Sequence, residues 1–341
     1  MAAKKLKKGV VALIVVACIV VSIGIVALGL GLYAARADEP TQPADVLSYW
    51  MDYVEDATLL KKVAIPGSHD SGTTGMLYVS ETQGRSIIDQ LRCGVRYLDI
   101  RVALKKGDYI VYHGPIYGMS YETVLKDVKA FLTAHPTETI ILDLQHFKDG
   151  AQPGAIALTE QYLGSFYLKN ETELTDLEYI DALTVGQARG KVLVVVGEDD
   201  GTYSSQNCYF LRNNDDGTVQ NAVLKSDYNE KYNKGSAKKY VEEYVGAYLD
   251  AYKTVDKGLF VLQCQLTDGL LFLGPKFRES QNLDGMNAYV KSLATSPDLS
   301  YINIVLRDYV NPAKTAPIVL LNAAKNNLKA ATASEFSALL S

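Results

Sequence analysis

The sequence predicts an α/β fold of the distorted TIM-barrel type, in which parallel strands alternate with helices around a closed sheet. Short runs of β-branched and aliphatic residues, typical of strands buried on both faces, alternate with longer amphipathic segments. Residues suited to catalysis follow several of these runs, where barrel active sites lie. An open doubly wound sheet is the alternative, but no phosphate-binding glycine motif follows the first strand.

The predicted strands share this aliphatic character and end at polar or glycine-rich positions. They are Lys62–Ile65, Tyr97–Val102, Thr139–Gln145, Lys191–Val196, Leu259–Leu266 and Ile302–Arg307, with Tyr109–His113 as a further candidate. A helix is predicted over Ser120–Ala134, because apolar residues recur at helical spacing behind a Ser120 cap. A second helix is predicted over Ser236–Lys253, where a tyrosine every fourth residue indicates packing against the sheet.

The N-terminal 37 residues predict a membrane anchor or a signal segment. Lysines at positions 4, 5, 7 and 8 precede an uncharged apolar run from Gly9 to Ala35, which is long enough to cross a bilayer. The lysines are expected on the cytoplasmic side, which leaves the rest of the chain outside, either anchored or secreted. Ala35-Arg36-Ala37 would suit cleavage, but the apolar run is longer than a usual signal core, which favours an anchor. Residues 38–47 are predicted as a linker and residues 48–341 as one catalytic domain.

Composition excludes some classes of protein. With 341 residues, 48% hydrophobic and 21% charged, the chain is expected to fold. A net charge of −5 argues against a nucleic-acid partner, which would require a basic surface. Cys18 lies in the apolar run, whereas Cys93, Cys208 and Cys264 form no C-x-x-C pair, so no zinc site is expected. Three buried thiols, or one disulfide with a free thiol, are both compatible with these positions.

Two histidines and an arginine form the candidate site. His69 and Asp70 follow the first strand, Asp99 and Arg101 lie near the end of the next, and His113 ends the strand after that. In a barrel these positions meet at one mouth. Cleavage of a phosphodiester needs a base, an acid and a cation for the non-bridging oxygens, and these residues supply all three.

Three further residues lie next to the ends of predicted strands or helices. His135 precedes a proline at a helix end, which indicates a surface position. His146 follows a predicted strand and can line the mouth or lie on its rim. Asp308 follows the last predicted strand, where it would be able to orient a histidine.

The sequence resembles the X-domain family of phosphatidylinositol-specific phospholipase C, in particular the small metal-independent bacterial type. The resemblance begins at Tyr49-Trp50-Met51. It continues through Ile65–Thr73, Gln90–Arg101, Tyr112–Pro115 and Pro136–Leu144. Weaker similarity includes Ala188–Lys191 and Arg307–Asn311. The first half is specific, and the second half is suggestive.

The resemblance implies a distorted TIM barrel and cleavage of a phosphatidylinositol-like membrane lipid to diacylglycerol and a cyclic inositol phosphate. By matching position, His69 is the general base assisted by Asp308, and His113 is the general acid assisted by Asp70. Arg101 binds the phosphate where calcium-dependent relatives hold a metal, and Asp99 orients Arg101. The resemblance therefore implies neither a metal nor another cofactor.

Head-group recognition differs from the bacterial pattern. Gln145 stands where the bacterial enzymes have a lysine, which is closer to the X-domain-only branch, and Gly197 stands near the position of a sugar-binding arginine. Asp227 and Tyr228 are candidates for contacts to the sugar ring. Two alternatives follow: a catalytically silent lipid- or glycan-binding barrel, and an active phosphodiesterase with a non-inositol substrate.

Overall fold

The computed structural model describes residues 8–38, 45–197, 209–213, 222–226, 237–240, 245–266 and 274–331, together with residues 334, 336 and 338. Ten strands lie in these ranges: β1 Ile65–Ser68, β2 Tyr97–Lys105, β3 Asp108–His113, β4 Ile116–Ser120, β5 Ile140–Lys148, β6 Val192–Val196, β7 Tyr209–Leu211, β8 Leu224–Ser226, β9 Leu259–Gln263 and β10 Ile304–Arg307.

The helices alternate with these strands. They are α1 Lys8–Ala35, α2 Ile87–Arg92, α3 Tyr121–Ala134, α4 Gln152–Leu163, α5 Asp176–Ala182, α6 Val185–Ala188, α7 Ala237–Tyr240, α8 Gly246–Lys253, α9 Gly274–Ser292 and α10 Pro312–Ala324. Short 3₁₀ helices cover Arg36–Asp38, Asp45–Tyr53, Leu60–Lys62, Gly164–Phe166, Leu293–Thr295 and Leu299–Tyr301.

Eight of the described strands form a nearly closed parallel barrel in the order β7-β6-β5-β2-β1-β10-β9-β8. Between β7 and β8, the Val223 amide donates to the Leu211 carbonyl at 2.8 Å, and the Asn213 amide donates to the Leu224 carbonyl at 2.9 Å. Strands β3 and β4 are antiparallel additions beside β2. The predicted TIM barrel is therefore confirmed.

The burial of β6 shows why the barrel strands have continuous aliphatic sequences. Leu193 and Val195 pack in one apolar cluster with residues of the other barrel strands, such as Ile65 and Ile304. Val194 and Val196, which alternate with them, pack instead in the cluster that contains α3. Because both faces of the strand are covered, both sets of side chains must be apolar.

Several predicted elements are corrected in position. The first strand is Ile65–Ser68 instead of Lys62–Ile65, so Pro66-Gly67-Ser68 lies within the strand. Tyr109–His113 belongs to an antiparallel strand, β3. The described residues of Ser236–Lys253 include two helical stretches, α7 and α8.

Most of the described side chains of the N-terminal helix α1 are exposed, and the helix contacts the barrel at its C-terminal end. Within the described residues, one helix is long and apolar enough to cross a membrane, and it covers Val15–Asp38, although a signal sequence would have the same properties. Val46 and Leu47, at the end of the predicted linker, are already buried in the barrel core. Cys93 and Cys264 are buried free thiols, and Cys208 lies outside the described residues.

Candidate active site

His69 and Asp308 are neighbours because their strands are neighbours. Strands β1 and β10 pair in parallel with Ser68 opposite Arg307, so the next residue of each chain segment emerges at the same barrel end. His69 Nδ1 lies 2.8 Å from Asp308 Oδ1. An imidazole that donates its Nδ1 hydrogen to a carboxylate keeps Nε2 as the atom that exchanges protons.

The Asp70 carboxylate connects the three predicted catalytic side chains. Its Oδ1 lies 2.7 Å from Arg101 Nε, and its Oδ2 lies 3.3 Å from His69 Nε2 and 3.6 Å from His113 Nε2. Asp70 is buried and has a φ of 42°, a left-handed conformation uncommon for a residue with a side chain. The main-chain turn therefore holds one negative charge between two imidazoles and a guanidinium.

His113 reaches this cluster on a hairpin. Strand β2 continues past its parallel partner β1, and β3 returns antiparallel to it, with Val102 opposite Val111. His113 Nδ1 lies 2.8 Å from the Ser80 carbonyl oxygen. Since a carbonyl can only accept, His113 donates from Nδ1, and Nε2 is again the proton-exchanging atom.

The site remains open to solvent on the side of the imidazoles. The side chains of His69 and His113 are 13% and 27% exposed, and that of Arg101 is 21% exposed, whereas Asp70 and Asp308 are buried. Part of each imidazole and of the guanidinium is therefore accessible, while the carboxylates beside them are shielded from water.

Electrostatics favour the ionised form of this cluster. Burial alone would lower the pKa of His69, but the adjacent charges of Asp70 and Asp308 outweigh it and raise this pKa to about 9. Burial would raise the pKa of Asp70, but Arg101 and the two histidines hold it below its usual value. The carboxylates therefore favour the imidazolium form of His69, and the neighbouring cations favour the carboxylate form of Asp70.

Asp99 and Gln145 lie directly beside this cluster. Asp99 Oδ2 accepts a hydrogen bond from the Asp70 amide at 3.2 Å, so it helps to fix the turn that carries Asp70. Gln145 Oε1 accepts from Arg101 Nε at 3.2 Å. The roles predicted for these residues towards a substrate remain predictions.

A calcium ion does not fit this arrangement well. Ligand atoms of His69, Asp70 and Asp99 lie within 4.8 Å of one another and are the described group that resembles a metal site. Calcium takes six to eight oxygen ligands, whereas this group offers two carboxylates and an imidazole. The Arg101 guanidinium already lies against one of these carboxylates.

Buried polar residues that the sequence analysis did not identify support the site. Gln83 donates from Nε2 to the main-chain oxygens of His69 at 2.9 Å and Arg307 at 3.0 Å, which ties the ends of β1 and β10 together. Asp143 accepts from the Tyr97 hydroxyl at 2.6 Å. Gln83 lies 14 residues after His69 in a loop, so no local pattern in the sequence indicates this contact.

The remaining predicted residues lie elsewhere. His135 ends α3 with its ring against Phe131, 4.6 Å between centroids, and has no part in the cluster. His146 is opposite Arg101 in the β2–β5 pairing, close to the site. Asp227 and Tyr228 lie outside the described residues, so their sugar contacts remain a prediction.

The structure is a parallel TIM-type barrel that brings two imidazoles, an arginine and shared carboxylates together at one end of its sheet. Residues 58–197 match the family model for the phosphatidylinositol-specific phospholipase C X domain. This match confirms, over these residues, the resemblance drawn from the sequence motifs.

Relatives agree with this family. The chain is 31% identical over 169 residues to the 1-phosphatidylinositol phosphodiesterase of Listeria monocytogenes, which is 46% of this chain and 51% of the relative. It is 34% identical over 120 residues to mouse PI-PLC X domain-containing protein 2, covering 26% of this chain and 35% of the relative. The chain thus spans about half the length of the bacterial relatives it matches.

Solved structures show the same fold. The phosphatidylinositol-specific phospholipase C from Listeria monocytogenes superposes with a TM-score of 0.62 at 22% identity, covering 81% of this chain and 98% of that structure. A mutant of the Staphylococcus aureus enzyme gives a TM-score of 0.62 at 20% identity, covering 85% and 100%. The barrel therefore extends over the second half of the chain, where sequence similarity is weak.

Proposed function

We propose that this protein cleaves a phosphatidylinositol-like membrane lipid by metal-free acid/base catalysis, giving diacylglycerol and a cyclic inositol phosphate. The observation that carries the proposal is the position of two imidazole Nε2 atoms, 3.3 and 3.6 Å from one oxygen of Asp70, with Arg101 on the other oxygen. Both proton-transfer atoms and the cation therefore face one small volume.

In the proposed reaction, His69 Nε2 removes the proton of the inositol 2-hydroxyl, whose oxygen attacks phosphorus. The bond between phosphorus and the glycerol oxygen breaks, and His113 Nε2 gives its proton to that oxygen. Arg101 stabilises the charge on the non-bridging oxygens. Asp308 and the Ser80 carbonyl hold the two rings in the required tautomers.

The proposed base needs a deprotonated imidazole, and its pKa of about 9 makes that form a minor one at neutral pH. The same raised pKa makes His69 a strong base once it has lost its proton. We therefore expect the rate to rise with pH through the neutral range.

Membrane attachment is a second part of the proposal. The large apolar side chains described from Leu13 to Leu32 are 41 to 71% exposed, and no described part of the barrel covers them. A bilayer would bury them, and the lysines that precede them would remain in the cytoplasm. The domains proposed are an anchor over residues 1–37, a linker over 38–47 and a catalytic barrel over 48–341, outside the cytoplasm.

One assay tests the catalytic proposal. The full chain is incubated with phosphatidylinositol vesicles in the presence of a chelator, and products are followed by phosphorus NMR. Cyclic phosphate is expected from the wild type and from His135→Ala, a matched histidine variant outside the site. His69→Ala and His113→Ala are expected to lose it.

The other outcomes decide between the alternatives. Turnover that persists in both site variants would contradict the assignment of base and acid. Cleavage of other glycerophosphodiesters, with phosphatidylinositol untouched, would favour the non-inositol substrate suggested by Gln145. Binding to vesicles without any cleavage would favour a silent lipid-binding barrel.

A further inference from the structure

The apolar helix α1 ends in a packed contact with the barrel. We call residues Tyr33–Asp38, which close this helix, the joint. Within it Ala37 is fully buried, and its amide donates to Ser280 Oγ on α9 at 3.0 Å. The same hydroxyl donates to the Ala34 carbonyl at 2.8 Å. One serine therefore satisfies main-chain groups at the helix end, where they would otherwise lack partners.

Side chains extend the joint along α9. Arg36 Nη2 donates to both carboxylate oxygens of Asp284, at 2.9 and 3.1 Å. One turn earlier in α1 and two turns earlier in α9, the Tyr33 ring contacts Phe277 with 5.5 Å between centroids. An exposed ion pair alone contributes little, but together with ring contact and buried hydrogen bonds it fixes the direction of one helix relative to the other.

The joint also touches the loop that serves the catalytic site. The Asp38 carboxylate packs so closely on Gly84 that a Cβ at that position would overlap it. Lys276 of α9 lies 3.5 Å from the same carboxylate. Gly84 directly follows Gln83, whose side chain donates to the main-chain oxygen of His69. The joint therefore lies next to a residue that supports the active site.

Helix α9 joins this contact to the catalytic carboxylate. Glu279, adjacent to Ser280, is buried and holds Arg307 and Lys314, each at 2.9 Å. Lys314 Nζ donates to the main-chain oxygen of Asp308 at 2.8 Å. Neighbouring residues of α9 therefore bind the membrane helix on one side and position the partner of the proposed base on the other.

An exposed apolar pair lies on the same rim. Leu77 and Tyr78 are 61% and 59% exposed, two or three residues before Ser80, whose carbonyl orients His113. The main chain of Tyr78 lies against Gly274, the first residue of α9. The pair is therefore within about one helical turn of Lys276 and Phe277, the nearest of the joint's contacts on α9.

We infer that the joint fixes the orientation of the barrel relative to α1, so that the active-site rim lies against the bilayer that α1 crosses. The linker expectation from the sequence would leave the barrel free to move away from the membrane on a flexible tether. The contacts of residues 33–38 with α9 and Gly84 instead tie the direction of the apolar helix to the direction of the mouth. The rate part of this inference rests on the proposed function, whereas the orientation part does not.

A flexible insertion between the membrane span and the joint keeps the protein anchored but removes the fixed orientation of the barrel. About ten glycine and serine residues between Leu32 and Tyr33 leave the joint docked but allow the barrel to wander by roughly 17 Å from the end of the span. The same insertion between Lys8 and Gly9 is the matched control, since it leaves the span and the joint continuous. Both full-length variants are reconstituted into vesicles of phosphatidylcholine and phosphatidylinositol.

Two readouts are measured. In a Tyr78→Trp background, quenching by lipids with spin-labelled head groups reports contact of the rim with the bilayer, while Trp50 is buried and gives a constant signal. The insertion at Tyr33 is expected to abolish this quenching and to lower phosphatidylinositol cleavage about tenfold. Cleavage of a water-soluble inositol phosphodiester is expected to be unchanged, and the control insertion is expected to behave as wild type.

Equal quenching in both insertion variants would overturn the inference, as would purification of the protein from membranes without its first 37 residues. Quenching that is lost without any change in the vesicle rate would overturn its catalytic consequence. If no form cleaves either substrate, the proposed function fails, but the quenching comparison still decides whether the joint orients the rim.

Discussion

The hydrogen bond between His69 and Asp308 gives a prediction that can be measured at one nitrogen. Asp308→Asn keeps the size of the side chain but removes the charge that lies 2.8 Å from His69 Nδ1. A hydrogen bond between charged groups contributes roughly 1.5–3 kcal/mol, which corresponds to about one to two pH units in a titration midpoint. The pKa of His69, about 9 in the intact site, should fall by that amount.

The assay is an NMR titration of imidazole nitrogens, for which the chain has only four histidines. His135 is the internal control: burial, with help from Arg96 and Arg92, lowers its pKa below the usual value, and Asp308 does not contribute. Its titration should not change in the variant. The pH dependence of kcat/KM on a water-soluble substrate should move towards acid in parallel with His69.

The maximal rate should nevertheless fall in this variant, since asparagine can present its amide hydrogens to Nδ1 and stabilise the wrong tautomer. A wild-type His69 that titrates near 6.5, or an Asp308→Asn variant whose His69 titrates as in the wild type, would refute the electrostatic argument. Either result would mean that Asp308 does not stabilise the imidazolium.

Three other changes test separate parts of the structure. Arg101→Lys should lower kcat about 100-fold with less effect on KM, measured on phosphatidylinositol vesicles, because an ammonium cannot reproduce the planar fork; an unchanged kcat would remove the guanidinium from the reaction. Gly67→Ala should lower the free energy of unfolding by about 1–3 kcal/mol in a urea titration, since its Cβ would lie 2.9 Å from Tyr97 and 3.0 Å from Leu306; wild-type stability would show that the barrel relaxes freely. Chelator should leave turnover unchanged, and a loss restored by calcium would contradict the role given to Arg101.

The sequence indicated the candidate catalytic cluster because its residues lie close together in sequence, near the ends of predicted strands. His69 with Asp70, and Asp99 with Arg101, are separated by one residue or less, so placing two strands side by side is sufficient to bring them together. His113 reaches the same mouth in another way, because its strand belongs to an antiparallel hairpin with β2.

The features that the sequence did not indicate are those without a local signature. Strands β7 and β8 have three residues each, which is too short for a periodic pattern. The predicted first strand stopped at Ile65, although β1 continues through Pro66. The support of His113 is the carbonyl of Ser80, and every residue type carries a carbonyl. The pairing of Arg36 with Asp284 joins residues 248 positions apart and exists only in the folded chain.

The shared carboxylate of Asp70 couples the two imidazoles electrostatically. One oxygen faces both Nε2 atoms, at 3.3 and 3.6 Å, so the proton on either imidazole changes the charge that the other one experiences. Such groups titrate as a coupled pair, and the two limbs of a pH–rate profile belong to the pair. His113→Ala should therefore change the pKa of His69, which NMR of the ring nitrogens can follow. A kinetic limb can be assigned to His69 or His113 only when the ring itself is observed, because their common partner couples base and acid before any substrate binds.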